Sequence, residues 1–200
     1  DASDIGGAAK YWNTYEIDGQ TGNRTSVDYH STTEGGTSSV STYYYPAAKS
    51  AQPHAVQLVQ QEVGADTSTA SYSYDAAGDM TGRPGETLTY DAEGRLATTT
   101  ESGETVSNIY DASGNLLLQT DSVSGSTLFV GDTELHESVG STVATATRTY
   151  CVGSIPVAER TTDLGVSGSS LTRAAADAQD TIDLEVAPST GALSVRYYDP

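Results

Sequence analysis

Carboxylates are the most abundant chemistry-bearing side chains in this sequence, 27 against 9 lysines and arginines, and three of the aspartates recur in one setting. Tyr74-Asp75-Ala76-Ala77-Gly78-Asp79-Met80, Tyr90-Asp91-Ala92-Glu93-Gly94-Arg95-Leu96 and Tyr110-Asp111-Ala112-Ser113-Gly114-Asn115-Leu116 share one grammar, Tyr-Asp-x-x-Gly-x-apolar. Carboxylates repeated along one rim could chelate calcium or work as an acid pair. The competing reading is local. An aspartate that recurs at the same turn position answers a local demand, the capping of backbone amides. This reading outweighs metal binding, because Asp111 to Asn115 lacks the alternating oxygen ligands and the later glutamate of an EF-hand loop.

The other reactive side chains point to no catalytic constellation. His30, His54 and His136 are far apart, and none has a metal-ligand spacing to another histidine or to the lone Cys151. A single cysteine makes no intramolecular disulfide, and Cys151, between Tyr150 and Val152, reads as a small buried apolar residue. Gly165-Val166-Ser167-Gly168-Ser169 is offset by one from a nucleophile elbow and reads as a loop. Tyr43-Tyr44-Tyr45 and Tyr197-Tyr198 could form an aromatic platform for sugars. Consecutive strand residues face both sides, so at least one ring of Tyr43 to Tyr45 points outward. The tyrosines of the three repeats read instead as cross-strand packing with hydroxyls reaching solvent.

The elements that position these residues follow from what flanks them. Ser71-Tyr72-Ser73-Tyr74 and Thr87-Leu88-Thr89-Tyr90 alternate in character, and Val106 to Tyr110 does so less cleanly, as half-buried strands do. Asp-x-x-Gly then suits a type I turn closed by a left-handed glycine and a bulge. Met80, Leu96 and Leu116 restart the apolar alternation two residues later, so each repeat predicts one hairpin. Anchor aromatics Tyr74, Tyr90, Tyr110, Phe129 and Tyr150 are spaced 16, 20, 19 and 21 residues apart, which predicts a continuous antiparallel meander. A looser copy runs from Tyr15 to Arg24 with one extra residue, and Thr127 to Gly131 and Arg148 to Gly153 read as degenerate copies. A hairpin of this size cannot bury its own face, so such units are expected in arrays.

Composition agrees with an all-β chain, with 13 tyrosines and 20 glycines against one tryptophan and one phenylalanine. A net charge of -18 argues against a phosphate-backbone partner and favours a cationic one. No stretch approaches the length of a membrane span, and no signal peptide opens the sequence. The abrupt start at Asp1 and the end at Pro200 read as a fragment of a longer polypeptide, with 1–200 as a single repeat region. Residues 46–64 read as a turn-rich connector running into a strand, with a helix open as an alternative. Around Leu171 to Asp180 the alanines favour a helix locally.

The tandem motif resembles YD/RHS repeats, found in bacterial RHS and wall-associated proteins, in C components of insecticidal toxin complexes and in teneurins. Gly22-Asn23-Arg24-Thr25, Pro53-His54-Ala55-Val56, Arg83-Pro84-Gly85-Glu86, Gly131-Asp132-Thr133-Glu134-Leu135 and Arg196-Tyr197-Tyr198-Asp199-Pro200 resemble, in order, the region upstream of the RHS core. The resemblance implies an all-β antiparallel meander of hairpins forming a curved strip or partial β-shell, with 161–200 a divergent approach to the core. It makes Asn23-Arg24-Thr25 a family motif, so glycosylation need not be invoked, and it favours a strand over a helix near Leu171. It implies a non-catalytic wall segment of a secreted or surface-displayed bacterial protein that encloses a C-terminal effector. The partners would be the rest of that chain and its effector, with self-association through sheet edges, no cofactor, no nucleic acid and no membrane insertion. The self-cleaving aspartyl protease of such proteins would lie downstream of Pro200, and Asp177-Ala178-Gln179-Asp180 departs from the family's Asp-His-x-Gly. The alternative function is a surface adhesion module that binds glycan or protein through its tyrosines and acidic face.

Overall fold

The structure, a computed structural model, describes residues 10–176 and 181–196. The segments Asp177-Ala178-Gln179-Asp180 and Tyr197-Tyr198-Asp199-Pro200 lie outside the described residues. The fold is all-β and antiparallel, and the strands fall into two sheets in which spatial order follows chain order. Compactness divides the chain into two units, 1–96 and 97–200.

In the first unit, β1 (Asn13–Ile17), β2 (Arg24–Tyr29), β3 (Ser39–Tyr44), β4 (Leu58–Val63) and β5 (Asp66–Ser71) pair one after another. The short β6 (Ser73–Tyr74), β7 (Met80–Arg83) and β8 (Glu86–Tyr90) pair in turn with one another and belong to the second sheet. Val27 on the interior strand β2 is fully buried between Tyr15 and Ser41, its register neighbours. Leu88 is the other buried hydrophobic residue among those described. The segment 46–57 is irregular and leads into β4, so the connector expected over 46–64 ends in a strand.

The second unit begins with β9, Leu96–Glu101, whose first residue belongs to the first unit. It continues through β10 (Glu104–Tyr110), β11 (Leu116–Asp121), β12 (Gly125–Val130), β13 (Thr133–Ser138) and β14 (Ala144–Val152). It ends with β15 (Ile155–Asp163), β16 (Ser170–Ala176), β17 (Ile182–Ala187) and β18 (Ala192–Val195). The alanine-rich stretch is strand through Ala176, its pairing with β15 and β17 overriding a weak helix propensity, and the remainder of the stretch lies outside the described residues.

The register sorts side chains by face. Leu118, Leu128, Leu135 and Ala146 form one row across β11 to β14, and Gln119, Thr127, His136 and Thr145 form the adjacent row. Neighbours along a strand point to opposite sides, so the apolar row and the polar row lie on opposite faces of β11 to β14. Threonines link the polar rows, as where Thr147 and Thr161 place their hydroxyls 3.2 Å apart.

Two expected degenerate corners have a different build. β12 and β13 join through Gly131-Asp132, and β14 and β15 through Gly153-Ser154, two-residue turns that begin with glycine. No aspartate precedes these turns to cap a longer loop. Cys151, read as buried, is exposed. It sits at the tip of β14 beside that tight turn, opposite Pro156, where β16 has not yet begun to pair with β15.

Candidate functional site

The three Asp-x-x-Gly corners are built alike from local hydrogen bonds. Asp75 Oδ1 accepts from the amides of Ala77, Gly78 and Asp79 at 2.9, 3.0 and 3.0 Å. The Gly78 amide donates to the Asp75 carbonyl at 3.2 Å, and the Asp75 amide donates to Asp79 O at 2.9 Å. Asp91 Oδ1 accepts from Glu93 and Arg95, and Asp111 Oδ1 accepts from Ser113 and Asn115, at 2.8 to 3.0 Å. Gly78, Gly94 and Gly114 take φ of 98°, 76° and 86°, a region that side chains with a Cβ resist. The register slips by one residue at Ser73/Tyr74 and again at Ile109/Tyr110, the bulge such a corner requires.

The residue after the glycine completes the carboxylate's shell. Arg95 Nε donates to Asp91 Oδ2 at 2.8 Å, and Asn115 Nδ2 donates to Asp111 Oδ2 at 2.9 Å. Backbone donation from Arg95, then its guanidinium, holds the Asp91 carboxyl below the ordinary range. The side-chain amide of Asn115, followed by backbone amides, does the same for Asp111. Both oxygens of these carboxylates are thus engaged within the corner itself. Among the described residues, no group of three or more His, Cys, Asp or Glu side chains converges.

Two further corners follow the rule. Asp18 Oδ1 accepts from the amides of Gln20 and Thr21 and from the Thr21 hydroxyl, while the Gly22 amide closes onto the Asp18 carbonyl at 2.9 Å. This is the looser copy with its extra residue. Asp121 accepts from the Val123 and Ser124 amides and the Ser124 hydroxyl. The sequence hid it, because no tyrosine precedes it and Gly125 comes one residue late.

The repeat tyrosines return their hydroxyls to the protein instead of to solvent. Tyr74 donates to the Val56 carbonyl at 3.0 Å and Tyr90 to the Met80 carbonyl at 2.9 Å. With little covering these strands, a ring laid along the sheet brings its hydroxyl within reach of a neighbouring carbonyl, and Tyr110 is also engaged.

Tyr43, Tyr44 and Tyr45 line an open cleft of about 260 Å³ with Asp18, Gln20 and Asn23. The Arg24 guanidinium lies 4.6 Å from the Tyr43 ring centre and donates to its hydroxyl at 3.1 Å. Tyr44 is 44% exposed, and desolvation raises the pKa of the half-buried Tyr45 hydroxyl. Asn23 ties this cleft to the irregular segment, donating to Pro53 O at 2.7 Å and meeting His54 Nδ1 at 2.7 Å. Its amide nitrogen, the sequon's acceptor atom, is occupied by that bond. His30 stacks on Trp12 at 4.2 Å, and His136 meets Thr127 at 2.9 Å.

These corners, repeated along the strands, define an antiparallel β-hairpin array. Two solved structures share this fold: TcdB2-TccC3-Cdc42, at 13% identity over 93% of this chain with a TM-score of 0.57, and TcdB2-TccC3-TEV, at 14% over 94% with 0.58. The chain spans only 12% of the length of either. No family model matches the sequence, and no curated protein matches it.

Proposed function

We propose that this chain is a non-catalytic wall segment of a secreted or surface-displayed bacterial RHS/YD-repeat protein, helping to build a β-shell around a C-terminal effector. The observation that carries the reading is the match of over nine-tenths of the chain to a small stretch of much longer chains, at TM-scores of 0.57 and 0.58. Carboxylates spent on turn amides are scaffold chemistry, which supports the non-catalytic assignment. The parent polypeptide and its effector are then the natural partners.

Limited proteolysis of the parent polypeptide tests this. The segment following this region should resist protease in the intact protein and become sensitive when Gly78, Gly94 and Gly114 are all replaced by valine. Equal sensitivity in both would refute the shell reading. The tyrosine-lined cleft favours a second role, adhesion to glycans. Its test is selective binding on a glycan array that disappears in Tyr44→Ala.

A further inference from the structure

Ion pairing divides the arginines. Arg83 pairs with Glu86, Arg95 with Asp91 and Glu93, and Arg196 with Glu185. Arg148, Arg160 and Arg173 meet no carboxylate among the described residues: Arg148 lies over the Tyr150 ring at 5.7 Å, and Arg160 Nε donates to Ser169 Oγ at 2.9 Å.

The register brings these three together. Arg148 stands directly opposite Arg160, Arg160 opposite Leu171, and Arg173 lies two residues along the same face from Leu171. Directly opposed antiparallel residues have Cβ atoms about 5 Å apart, and like charges placed so are destabilising. A chain with 27 carboxylates could relieve this repulsion, yet three of its 9 cations gather on one face without one among the described residues.

The same face is apolar around them. Tyr150, Leu171 and Leu193 are exposed by 40%, 43% and 68%. The register puts Tyr150 in the cross-strand row of Arg173 and carries that row on through Val186 to Leu193. The reverse face of these strands carries Glu159 and Glu185, and it is there that Arg196 reaches Glu185 at 2.9 Å. Charge is therefore sorted by face.

We propose that the arginine and apolar face of β14 to β16 is a docking surface for an acidic polypeptide segment in which carboxylates are interspersed with apolar side chains. Guanidinium forks bind carboxylates in bidentate fashion, which relieves the repulsion between Arg148 and Arg160. The apolar flanks give leucine-like side chains a place to bury, which a sugar-phosphate chain cannot use. A net charge of -18 also repels a long polyanion more than a short segment with few charges. This docking stands apart from the shell reading, and either can fail without the other.

The test titrates the whole chain into a short labelled peptide alternating glutamate and leucine, followed by fluorescence anisotropy. A lysine-for-glutamate peptide and inorganic polyphosphate serve as comparators. Arg148→Gln and Arg160→Gln should each weaken binding of the acidic peptide about tenfold, as loss of a charge-assisted hydrogen bond does. Glu159→Gln on the reverse face should leave it unchanged. Free of peptide, Arg160→Gln should also unfold at a higher denaturant concentration than the parent, because a like-charge contact is gone. Arg160→Lys, which keeps the charge without the fork, should bind with intermediate affinity. No binding of the acidic peptide, binding indifferent to the arginine variants, or tighter binding of polyphosphate would overturn the proposal.

Discussion

Gly78 and Gly125 both hold left-handed backbone, at φ of 98° and 120°, but for different reasons, and replacing each by alanine separates them. A Cβ at Gly78 would meet nothing within 4 Å. Its cost is conformational alone: about 1 to 2 kcal/mol for a left-handed alanine, less roughly 0.5 to 1 kcal/mol for a less flexible unfolded chain. The net loss is about 1 kcal/mol. A Cβ at Gly125 would collide with the Glu137 carbonyl oxygen and come within 2.7 Å of Ser138 Cα. These are backbone atoms of β13, held by the ladder, and no rotamer change moves them. Overpacking adds about 1 to 3 kcal/mol to the backbone strain, for roughly 2 to 4 kcal/mol in total.

For a chain of this size about 1 kcal/mol moves the midpoint by roughly 2 to 4 °C. Gly78→Ala should therefore lower Tm by about 3 °C and Gly125→Ala by roughly 6 to 12 °C, read by circular dichroism at 218 nm or so. Hairpins in an array lean on their immediate neighbours, so amide hydrogen exchange should localise the damage. Gly78→Ala should loosen β6 and β7, and Gly125→Ala should loosen β12 and β13. Equal shifts in Tm, or a milder effect at Gly125, would refute the assignment of Gly125 to close backbone approach.

Val27, fully buried on β2, should cost about 2 kcal/mol when cut back to alanine, measured by urea denaturation. The lowered carboxyls of Asp18, Asp91, Asp111 and Asp121 give the fold an acid limit. Because each folded pKa lies below its unfolded value, their stabilisation is complete above the unfolded aspartate pKa of about 3.9 and is lost as pH falls through the folded values. Asp91→Asn combined with Asp111→Asn keeps an acceptor in each corner and should flatten the acid limb of a stability-against-pH curve; an unchanged limb would contradict the corner assignment. Tyr44→Ala should leave Tm within experimental error, since the ring is 44% exposed, while any glycan binding at the cleft disappears. Among the described residues β1, β5, β6 and β18 end their sheets, and pairing of such edges between chains should make apparent Tm rise with protein concentration; a strictly monomeric species of fixed Tm would count against edge pairing.

The corners were legible because their chemistry is local. Asp75 holds the amides of Ala77, Gly78 and Asp79 within one turn, while the hydroxyl of the preceding Tyr74 reaches a distant partner, the Val56 carbonyl. Asp121 obeys the same physics with a three-residue loop and no preceding tyrosine, so its motif did not match the repeat although its carboxylate does the same work. The meeting of Asn23 with His54 and Pro53 could not be read, because it depends on how the irregular segment folds back over β2. Cys151 went wrong for a related reason. Composition predicts burial for a cysteine among apolar neighbours, whereas Cys151 falls at the exposed tip of the β14–β15 hairpin, opposite Pro156. The arginine cluster was the least legible. Arg148 and Arg160 become opposite only through the register of β14 on β15, which the tight turn and the bulge at Tyr150/Cys151 set together.

Exposed apolar side chains give the proposed shell a physical rationale. Among the described residues, Val27 and Leu88 are the buried hydrophobic side chains, while Ile109, Val130 and Leu193 remain more than half exposed. Hydrogen bonding does not call for this exposure, since the ladders are satisfied edge to edge within each sheet. What remains unsatisfied is the apolar face of the second unit, and a sheet face of that kind is stable in water when something lies against it. In the proposed wall segment, such faces would be turned inward together with those of further hairpins of the same build.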